Sequence, residues 1–237
     1  SVIEHYGIRT LLYGTLLPAP DIGQREVALM RSVCDQGFEV GIHTWDHIKW
    51  QDNVATKNEA WTRREMERAV QRFHTIFGQA ARTHGAAGWQ MNEAALRLEK
   101  EFGFDYASDS RGTHPFYPVD AQGARIGVPQ LPTTLPTLDE LVGINGITSD
   151  NVDHYLLGLT AIAPQMGHVY TLHAELEGMR LVSTFERLLI GWKQQGYQLC
   201  SCRELFATLD KDALHNGRIV YDEIMGRSGL LAVQERV

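Results

Sequence analysis

The sequence predicts an α/β fold in which parallel strands form an incomplete, barrel-like arrangement. First, helical and extended patterns alternate along most of the chain. Second, a length of 237 residues suits one α/β barrel and does not require two domains. Third, no GxGxxG loop follows a predicted strand, which disfavours an open dinucleotide-binding sheet. We therefore expect a single domain over residues 1–237.

Extended patterns recur along the chain, separated by helical patterns. The predicted strands are residues 38–42, 104–107, 126–131, 169–172 and 197–200, and the predicted helices are 25–36, 62–77, 91–101, 151–162 and 183–195. Ser/Thr-x-x-Glu capping boxes mark helix starts at Thr62, Ser183 and Ser201. Five or six strands are fewer than the eight of a complete barrel. We therefore expect this chain to lack one or more N-terminal strands.

The two ends of the chain have weaker patterns than its middle. Residues 1–17 carry an imperfect apolar stripe, interrupted by Gly7 and Gly14. Such a stripe is typical of a helix packed on the core, and also of an amphipathic segment that faces a membrane surface. Residues 210–237 are polar and weakly patterned, so we interpret them as a C-terminal tail.

Composition and charge exclude several classes of protein. The formal net charge of −7 argues against a broadly basic surface, so we expect no nucleic-acid partner. Three cysteines do not make a disulfide framework, and a reducing compartment is the default expectation. No stretch approaches the roughly 20 apolar residues that span a bilayer, and no signal peptide is recognisable.

A pair of histidines follows the predicted strand at residues 38–42. His43 comes directly after it, and His47 lies four residues later with Asp46 between them. Active sites of parallel barrels lie at the carboxyl ends of strands, and neutral imidazole is the commonest ligand of first-row metals. We predict that the two histidines share one ion and that Asp46 orients a ligand from behind. His-x3-His is a weak motif, so on these residues alone a metal-free turn remains an equal alternative.

His173 ends the apolar strand predicted at residues 169–172. A histidine at a strand end opposite a metal is a natural general acid or base. Glu175 and Glu177 alternate beyond it, so an extended chain would place both on one side. The alternative is a solvated histidine followed by two surface glutamates.

Further polar and aromatic side chains lie at other strand ends. Asp109 follows the strand at 104–107 and is suited to accept from a histidine or a sugar hydroxyl. Arg111 is suited to pair with a phosphate or carboxylate, unless the two form a surface ion pair. Trp89, in a segment rich in Gly and Ala, offers a flat apolar face to a sugar ring, and a buried aromatic plug is an equal alternative.

Five segments, taken together, resemble the polysaccharide deacetylase family. They are Gly41-Ile-His-Thr-Trp-Asp-His47, Ala86-Ala-Gly-Trp89, Ser108-Asp-Ser-Arg-Gly112, Gln130-Leu-Pro-Thr-Thr-Leu-Pro136 and Tyr170-Thr-Leu-His-Ala-Glu-Leu-Glu-Gly178. They occur in order, and the likeness runs from about residue 13 to residue 205. Within the family the chain is most similar to the deformylases of undecaprenyl-phosphate-linked 4-deoxy-4-formamido-L-arabinose. The strings His-x-Trp-Asp-His and His-Ala-Glu-x-Glu-Gly are together specific for that branch.

The resemblance implies a distorted, incomplete (β/α) barrel of the polysaccharide deacetylase type and one divalent metal ion, with Zn, Mn, Co and Ni not distinguished. It implies that His43 and His47 are two of the metal ligands beside an aspartate, and that His173 protonates the departing amine. The implied reaction is hydrolysis of an N-formyl amide on a lipid-linked aminosugar, whose free amine serves lipid A modification and resistance to cationic antimicrobial peptides. The implied location is peripheral, on the inner membrane surface at its cytoplasmic side in a bacterium.

The sequence departs from the family's pattern in two ways. The opening motif, a strand with a base aspartate and a metal-binding aspartate, does not precede Tyr13, and the first aspartate is Asp21. We therefore expect either that the natural protein continues upstream of Ser1 or that this chain lacks activity as it stands. Gln90 stands where the branch has an arginine that orients the base. Two alternative functions follow: an N-deacetylase of another carbohydrate, and a catalytically impaired relative that binds a sugar lipid.

Overall fold

The inner wall of the barrel is built from short parallel segments. In the computed structural model, which describes residues 12, 13, 16, 17 and 20–235, strand β1 (Thr83–His84) pairs in parallel with β2 (Tyr106–Ala107). Ile42 pairs in parallel with β1 on one side, and Gln130 with β2 on the other. Four neighbouring segments therefore run in one direction, and their carboxyl ends meet at one edge. This arrangement agrees with the distorted α/β barrel that the sequence predicts.

Strand pairing in this wall is much shorter than the sequence pattern predicts. The segments 38–42 and 126–131 enter the wall mainly through Ile42 and Gln130, and a bend at residues 127 and 128 interrupts the second segment. The segments 169–172 and 197–200 have no strand conformation at all. Val169 nevertheless lies beside Thr134, because the Thr134 amide donates to the Val169 carbonyl oxygen at 2.9 Å and the Thr134 hydroxyl accepts from the Val169 amide at 2.9 Å. The segment before His173 is therefore held beside the wall without a regular ladder.

Helices surround the wall on its outer side. In the described part of the chain they are α1 (Ile22–Arg25), α2 (Val27–Asp35), α3 (His47–Asn53), α4 (Glu59–Phe77), α5 (Glu93–Glu101), α6 (Leu138–Leu141), α7 (Val152–Leu159), α8 (Val182–Gln194) and α9 (Cys202–Thr208). A π-helical segment (Leu176–Arg180) and two 3-10 turns (Val54–Thr56 and Ala87–Trp89) connect them. The largest apolar cluster lies between the wall and helices α4 and α5, with Phe73, Ala95 and Leu98 at its centre. A second cluster joins α6, α7 and α8.

Only one of the three predicted capping boxes begins a helix. Ser201 caps α9 reciprocally with Glu204. Helix α4 begins earlier than predicted, because the Asn58 side chain accepts from the Trp61 amide at 3.0 Å, and Thr62 lies inside the helix. Helix α8 follows the π-helical segment almost without a break, so Ser183 caps nothing. A serine or threonine three residues before a glutamate also occurs inside helices, and neighbouring structure decides which role it has.

The C-terminal segment is folded, and its interpretation as a tail is wrong for the residues that the structure describes. Strand β3 (Tyr117–Pro118) pairs in parallel with β4 (Asn216–Gly217), and β5 (Ile219–Glu223) forms an antiparallel hairpin with β6 (Leu230–Gln234). Leu231 and Ala232 of this hairpin are buried. Strand β5 leaves most of its side chains in solvent, so the apolar alternation that marks a strand is weak there.

The segment 1–17, predicted to be amphipathic, lies almost entirely outside the described residues. Leu16 and Leu17 are described, and both side chains are exposed. No helix in the described ranges is long and apolar enough to cross a bilayer.

Candidate metal and catalytic site

Two histidine rings converge at the carboxyl end of the first wall segment. His43 comes one residue after Ile42, and His47 is the first residue of α3. The centroids of the two rings are 5.1 Å apart, and the rings meet edge to face. The Asp46 carboxylate caps α3 by accepting from the Lys49 amide at 3.0 Å, which fixes where the helix begins. Asp46 therefore positions His47 through the backbone.

The tautomer of His43 suits a metal ligand. Its Nδ1 lies 2.7 Å from the carbonyl oxygen of Gly85. A carbonyl oxygen only accepts hydrogen bonds, so Nδ1 carries the proton and the lone pair of Nε2 is left available. A hydrogen bond from the distal ring nitrogen to a carbonyl is the usual way in which proteins orient a metal-binding imidazole.

The pKa of each ring is shifted toward the neutral form, which is the form that binds metal. Desolvation lowers the pKa of His43, although the Gly85 carbonyl partly opposes the shift. Desolvation also lowers the pKa of His47, and the nearby imidazole of His173 adds to the effect. Metal ligation requires neutral imidazole, so these shifts favour binding near neutral pH. The donor set and its orientation therefore fit a divalent metal held by His43 and His47.

The two rings open into a cavity of about 680 Å³. Its polar wall includes His43, His47, His173, Asp139, Glu175 and Arg227, and its other wall includes Trp89, Leu138, Val142, Leu176 and Leu181. An apolar wall with a few convergent polar groups is typical of a site for a small organic ligand. Five of the predicted site residues, His43, His47, His173, Trp89 and Glu175, thus line one cavity.

The backbone of His173 is held by a hydrogen bond, and its ring lies near a carboxylate. Its backbone amide donates to Glu177 Oε2 at 3.0 Å, and the Tyr170 hydroxyl donates to Glu177 Oε1 at 2.8 Å. Its imidazole Nδ1 lies 3.5 Å from Asp139 Oδ1. The prediction that Glu175 and Glu177 share one side is wrong, because the chain enters the π-helical segment here. Glu175 lines the cavity, whereas Glu177 is buried and holds the loop of His173.

Asp109 does not reach the cavity. Its side chain is completely buried, with Oδ1 2.9 Å from His84 Nδ1 and Oδ2 accepting from Gln130 Nε2 at 3.0 Å. The preceding residue, Ser108, lines the cavity. Neighbouring residues of an extended chain face opposite sides, so Asp109 points into the core. It has a histidine partner, as the sequence suggests, but it is not placed to bind a sugar hydroxyl.

Three buried titratable groups form a cluster behind the cavity: His84, Glu99 and Asp109. The single Nδ1 of His84 lies 2.9 Å from a carboxyl oxygen of each acid. A tetrahedral ion with bonds of about 2.1 Å would separate its ligands by about 3.4 Å, so hydrogen-bond spacing fits shared protons better than a metal. Burial alone would lower the pKa of His84, but the Asp109 and Glu99 carboxyls outweigh it and raise that pKa to about 10. The two carboxyls therefore favour the charged form of the His84 imidazole.

The two carboxyls of this cluster respond in opposite directions. Burial and the adjacent Asp109 charge hold the pKa of Glu99 well above its ordinary value. Burial opposes ionisation of Asp109, but His84 outweighs it and lowers the pKa of Asp109. The cluster thus consists of an imidazolium, a carboxylate and a protonated carboxyl, with Gln130 Nε2 donating to both acids. Such a set is neutral overall apart from local dipoles, which makes its burial tolerable.

Arg111, Gln90 and Trp89 have structural partners. Arg111 Nη1 lies 2.5 Å from Glu140 Oε1, and its guanidinium stacks 4.8 Å from the Trp89 ring. Gln90 points away from the cavity and donates to the carbonyl oxygen of Leu230 in the C-terminal hairpin at 2.6 Å. Trp89 lines the cavity, and its indole nitrogen donates to the Thr133 hydroxyl at 3.1 Å. Arg111 is therefore an internal ion partner rather than an exposed anion site.

The sequence reasoning missed three charged residues of the cavity, Asp139, Arg180 and Arg227. Asp139 comes just after Pro136, where the Gln130–Pro136 motif stops, and the Leu-Asp-Glu string there looks like an ordinary helix start. Arg227 lies in the segment interpreted as a tail. The only sequence signal for Arg227 is a Gly-Arg pair in a turn between two weakly apolar runs, which is too common to single out.

The chain is similar in sequence to known proteins of one family. Residues 15–107 match the polysaccharide deacetylase family. The chain is 36% identical over 230 residues to a protein of Shewanella sediminis named as the 4-deoxy-4-formamido-L-arabinose-phosphoundecaprenol deformylase ArnD. The matched region covers 97% of this chain and 72% of that protein. It is 30% identical over 234 residues to the protein of the same name from Wigglesworthia glossinidia brevipalpis, covering 98% of this chain and 80% of that one.

Solved structures support the fold. A protein of Mycobacterium smegmatis described as a polysaccharide deacetylase superposes with a TM-score of 0.62 at 17% identity, covering 87% of this chain and 75% of that one. A protein of Pseudomonas aeruginosa PAO1 with the same description superposes with a TM-score of 0.57 at 20% identity, covering 78% of this chain and 63% of that one. These likenesses concern the fold, whereas the identity to the named deformylases extends over nearly the whole chain. The chain belongs to the polysaccharide deacetylase family, in the branch of the formamido-arabinose deformylases.

Proposed function

We propose that this protein hydrolyses the N-formyl amide of a 4-formamido-arabinose carried on undecaprenyl phosphate. The observation that carries the proposal is the shared cavity of His43, His47 and His173 in a chain that is 36% identical to a protein named as this deformylase. The two relatives supply the substrate class, and the cavity supplies residues suited to amide hydrolysis. The free amine that results would serve lipid A modification.

His43 and His47 are the residues that hold the divalent metal. When bound, the metal supplies Lewis-acid polarisation of the amide and activation of water. The hydrogen bond from His43 to Gly85 keeps that ring in one tautomer and one orientation. Helix α3 keeps His47 beside it.

His173 is the acid that gives a proton to the departing amine. An amine leaves poorly unless it is protonated, so a positioned imidazolium accelerates collapse of the tetrahedral intermediate. Glu177 fixes the loop of His173, and Asp139 faces its ring. Leu138, Leu176 and Leu181 form an apolar part of the cavity lining. The Trp89 ring is buried, with the Arg111 and Arg227 guanidiniums 4.8 Å and 5.0 Å from its centre, so it supports the cavity as an aromatic plug and does not present a free face to a sugar.

The rim of the cavity suits a lipid-linked substrate. Val142, Met179 and Val182 are exposed apolar residues on or next to segments that line the cavity. Arg180 lines the same rim and adds a cation near them. Exposed apolar side chains beside a cation are typical of a surface that meets anionic lipid. We therefore propose a peripheral location on the cytoplasmic side of the inner membrane.

The metal assignment is tested by comparing two alanine variants. His43→Ala is expected to lower the bound metal, measured by mass spectrometry of the dialysed protein, because one of the two histidine ligands is lost. His173→Ala is expected to retain the metal and to lose formate release from a synthetic formamido-arabinose lipid. His74→Ala, which removes an exposed histidine of α4, is the matched control for both measurements.

Three results would contradict parts of this proposal. Metal content unchanged in His43→Ala would exclude it as a ligand. Release of acetate from an acetamido sugar at a rate above that of formate would favour an N-deacetylase of another carbohydrate. A metal-loaded protein that binds the lipid but releases neither acid would favour a relative that only binds the sugar lipid.

A further inference from the structure

We propose that the C-terminal hairpin is part of the active site, and that Arg227 in its turn is a positioning residue that holds Asp139 against the imidazole of His173. The proposal deepens the deformylase function and rests on it for the role of His173. Its basis is a set of contacts that join the hairpin to the cavity.

The turn of the hairpin is built to enter the cavity. Between β5 and β6 the chain passes through Gly226, whose φ of +87° is in the left-handed region. A Cβ on Gly226 would clash with the carbonyl oxygen of Glu140 in α6. Only glycine allows both this φ and this approach without strain. The side chain of the next residue, Arg227, then lines the cavity.

Arg227 contacts three side chains, two in α6 and one on the residue that caps the N-terminus of that helix. Its Nε lies 2.8 Å from Glu140 Oε1, and its Nη2 lies 3.0 Å from Asp139 Oδ2 and 3.2 Å from the Thr137 hydroxyl. The guanidinium also lies 5.0 Å from the centre of the Trp89 ring. A planar guanidinium that bonds through two nitrogens fixes both its own orientation and that of its partners.

The contact with Asp139 is the one that has no substitute. Glu140 already pairs with Arg111 at 2.5 Å and accepts from the Thr137 amide at 3.0 Å. Asp139 is divided between two partners, with Oδ2 on Arg227 and Oδ1 3.5 Å from His173 Nδ1. A carboxylate that is held at one oxygen presents the other in a fixed direction. Arg227 therefore restricts the rotation of Asp139 and, through it, of the His173 ring.

The hairpin is anchored without Arg227. Gln90 donates to the carbonyl oxygen of Leu230 at 2.6 Å, and the Tyr221 hydroxyl donates to the carbonyl oxygen of Met91. The Gln234 amide donates to the Arg111 carbonyl oxygen at 2.7 Å. Leu231 and Ala232 are buried. Loss of the Arg227 charge should therefore leave the fold in place, which separates a positioning role from a structural one.

The test compares Arg227→Met with Arg218→Met. Arg218 precedes β5 and is paired only loosely with Glu235, at 3.6 Å, so its variant is the matched control on the same element. In metal-loaded protein, Arg227→Met is expected to lower kcat for formate release about tenfold, the effect typical of losing an outer support, with KM within about twofold. Arg227→Lys should recover part of kcat, because a single ammonium still reaches Asp139.

A second readout does not need turnover. In metal-free protein, ¹⁵N correlation spectra of the imidazoles report which nitrogen of His173 bears the proton, with His173→Gln giving the assignment. At a pH at which the His173 ring is neutral, we expect one tautomer, protonated at Nδ1, in the wild type and in Arg218→Met. Mixed tautomers are expected in Arg227→Met and in Asp139→Asn. Arg227→Met and Asp139→Asn remove the same contact. The variant that carries both substitutions should therefore have a kcat no lower than that of Asp139→Asn alone.

Three outcomes would overturn the proposal. They are a kcat of Arg227→Met equal to that of Arg218→Met, a loss confined to KM, and additive losses in the double variant. A loss confined to KM would mean that Arg227 binds substrate directly. Failure of the deformylase function would appear differently, as no formate release from the wild type, and the tautomer spectra would still decide whether Arg227 orients His173. If Arg227→Met melts early, Arg227→Lys carries the same comparison.

Discussion

The buried cluster of His84, Glu99 and Asp109 predicts a stability defect with an unusual pH dependence. His84→Gln keeps a side-chain amide donor but removes the positive charge next to Asp109. The Asp109 carboxylate is completely buried, so without its counter-ion it must either remain charged in the core or take up a proton. Removing one partner of a buried ion pair typically destabilises a protein by about 3–5 kcal/mol.

The magnitude follows from the cost of protonating Asp109. Its ordinary pKa is 3.8. Each pH unit above that value corresponds to about 1.4 kcal/mol, so neutralising Asp109 costs about 4 kcal/mol at pH 7 and only about 1.5 kcal/mol at pH 5. We therefore expect His84→Gln to lower the free energy of unfolding by roughly these amounts at the two pH values.

At alkaline pH the wild type loses the same interaction. The pKa of His84 is raised from 6.5 to about 10 in the folded protein. A raised histidine pKa contributes stability that is complete below the unfolded pKa and disappears as pH rises through the folded one. The wild type should therefore weaken between about pH 6.5 and pH 10, and the difference from His84→Gln should be greatest near pH 7.

Urea unfolding followed by tryptophan fluorescence at pH 5, 7 and 10 measures these differences. His74→Gln removes an exposed histidine and is the matched control. His84→Gln combined with Asp109→Asn removes both charges and should flatten the pH dependence. A defect in His84→Gln that is the same at all three pH values would refute the charged cluster, because loss of packing alone does not titrate.

Two further predictions concern single side chains. Glu99→Gln should change the free energy of unfolding by less than about 1 kcal/mol at pH 7, because the raised pKa of Glu99 keeps this carboxyl protonated and an amide replaces it closely. Asp109→Asn removes a carboxylate and should lower the free energy of unfolding more. Equal effects of the two substitutions in urea unfolding would mean that the two acids share the proton evenly. Asn58→Ala should lower the free energy of unfolding by about 1 kcal/mol, because it removes the N-terminal cap of α4. Ser183→Ala removes no cap and is the control. A larger effect of Ser183→Ala in thermal melts would contradict the assigned helix starts.

The histidines of the site could be predicted because of how parallel strands converge. His43 and His173 each follow an apolar run, and the carboxyl ends of such runs meet at one edge of a parallel wall. This reasoning depends only on where a run ends, so it survives even though 169–172 forms no ladder. The length of the strands could not be predicted, because apolar alternation reports burial and does not report which backbone groups pair.

The side of the wall on which each polar residue lies was harder to predict. Ser108 and Gly85 line the cavity, whereas the neighbouring Asp109 and His84 face the core. A shift of one residue in an extended segment exchanges the two faces, and a polar residue gives no sign of the face it takes when buried partners can neutralise it. The sequence therefore predicts that Asp109 lies at the strand end beside the cavity, but it does not predict that its side chain faces the core.

The hairpin shows why part of an active site can be hidden in the sequence. Strand β6 buries Leu231 and Ala232, while β5 leaves its charged residues in solvent, so neither strand has a strong alternating pattern. Its contact with the cavity depends on Gly226, which is needed because Glu140 lies against it. That requirement exists only once α6 is folded and the hairpin has docked. The chain distances between Asp139, His173 and Arg227 are long, and only the tertiary structure brings their charges together.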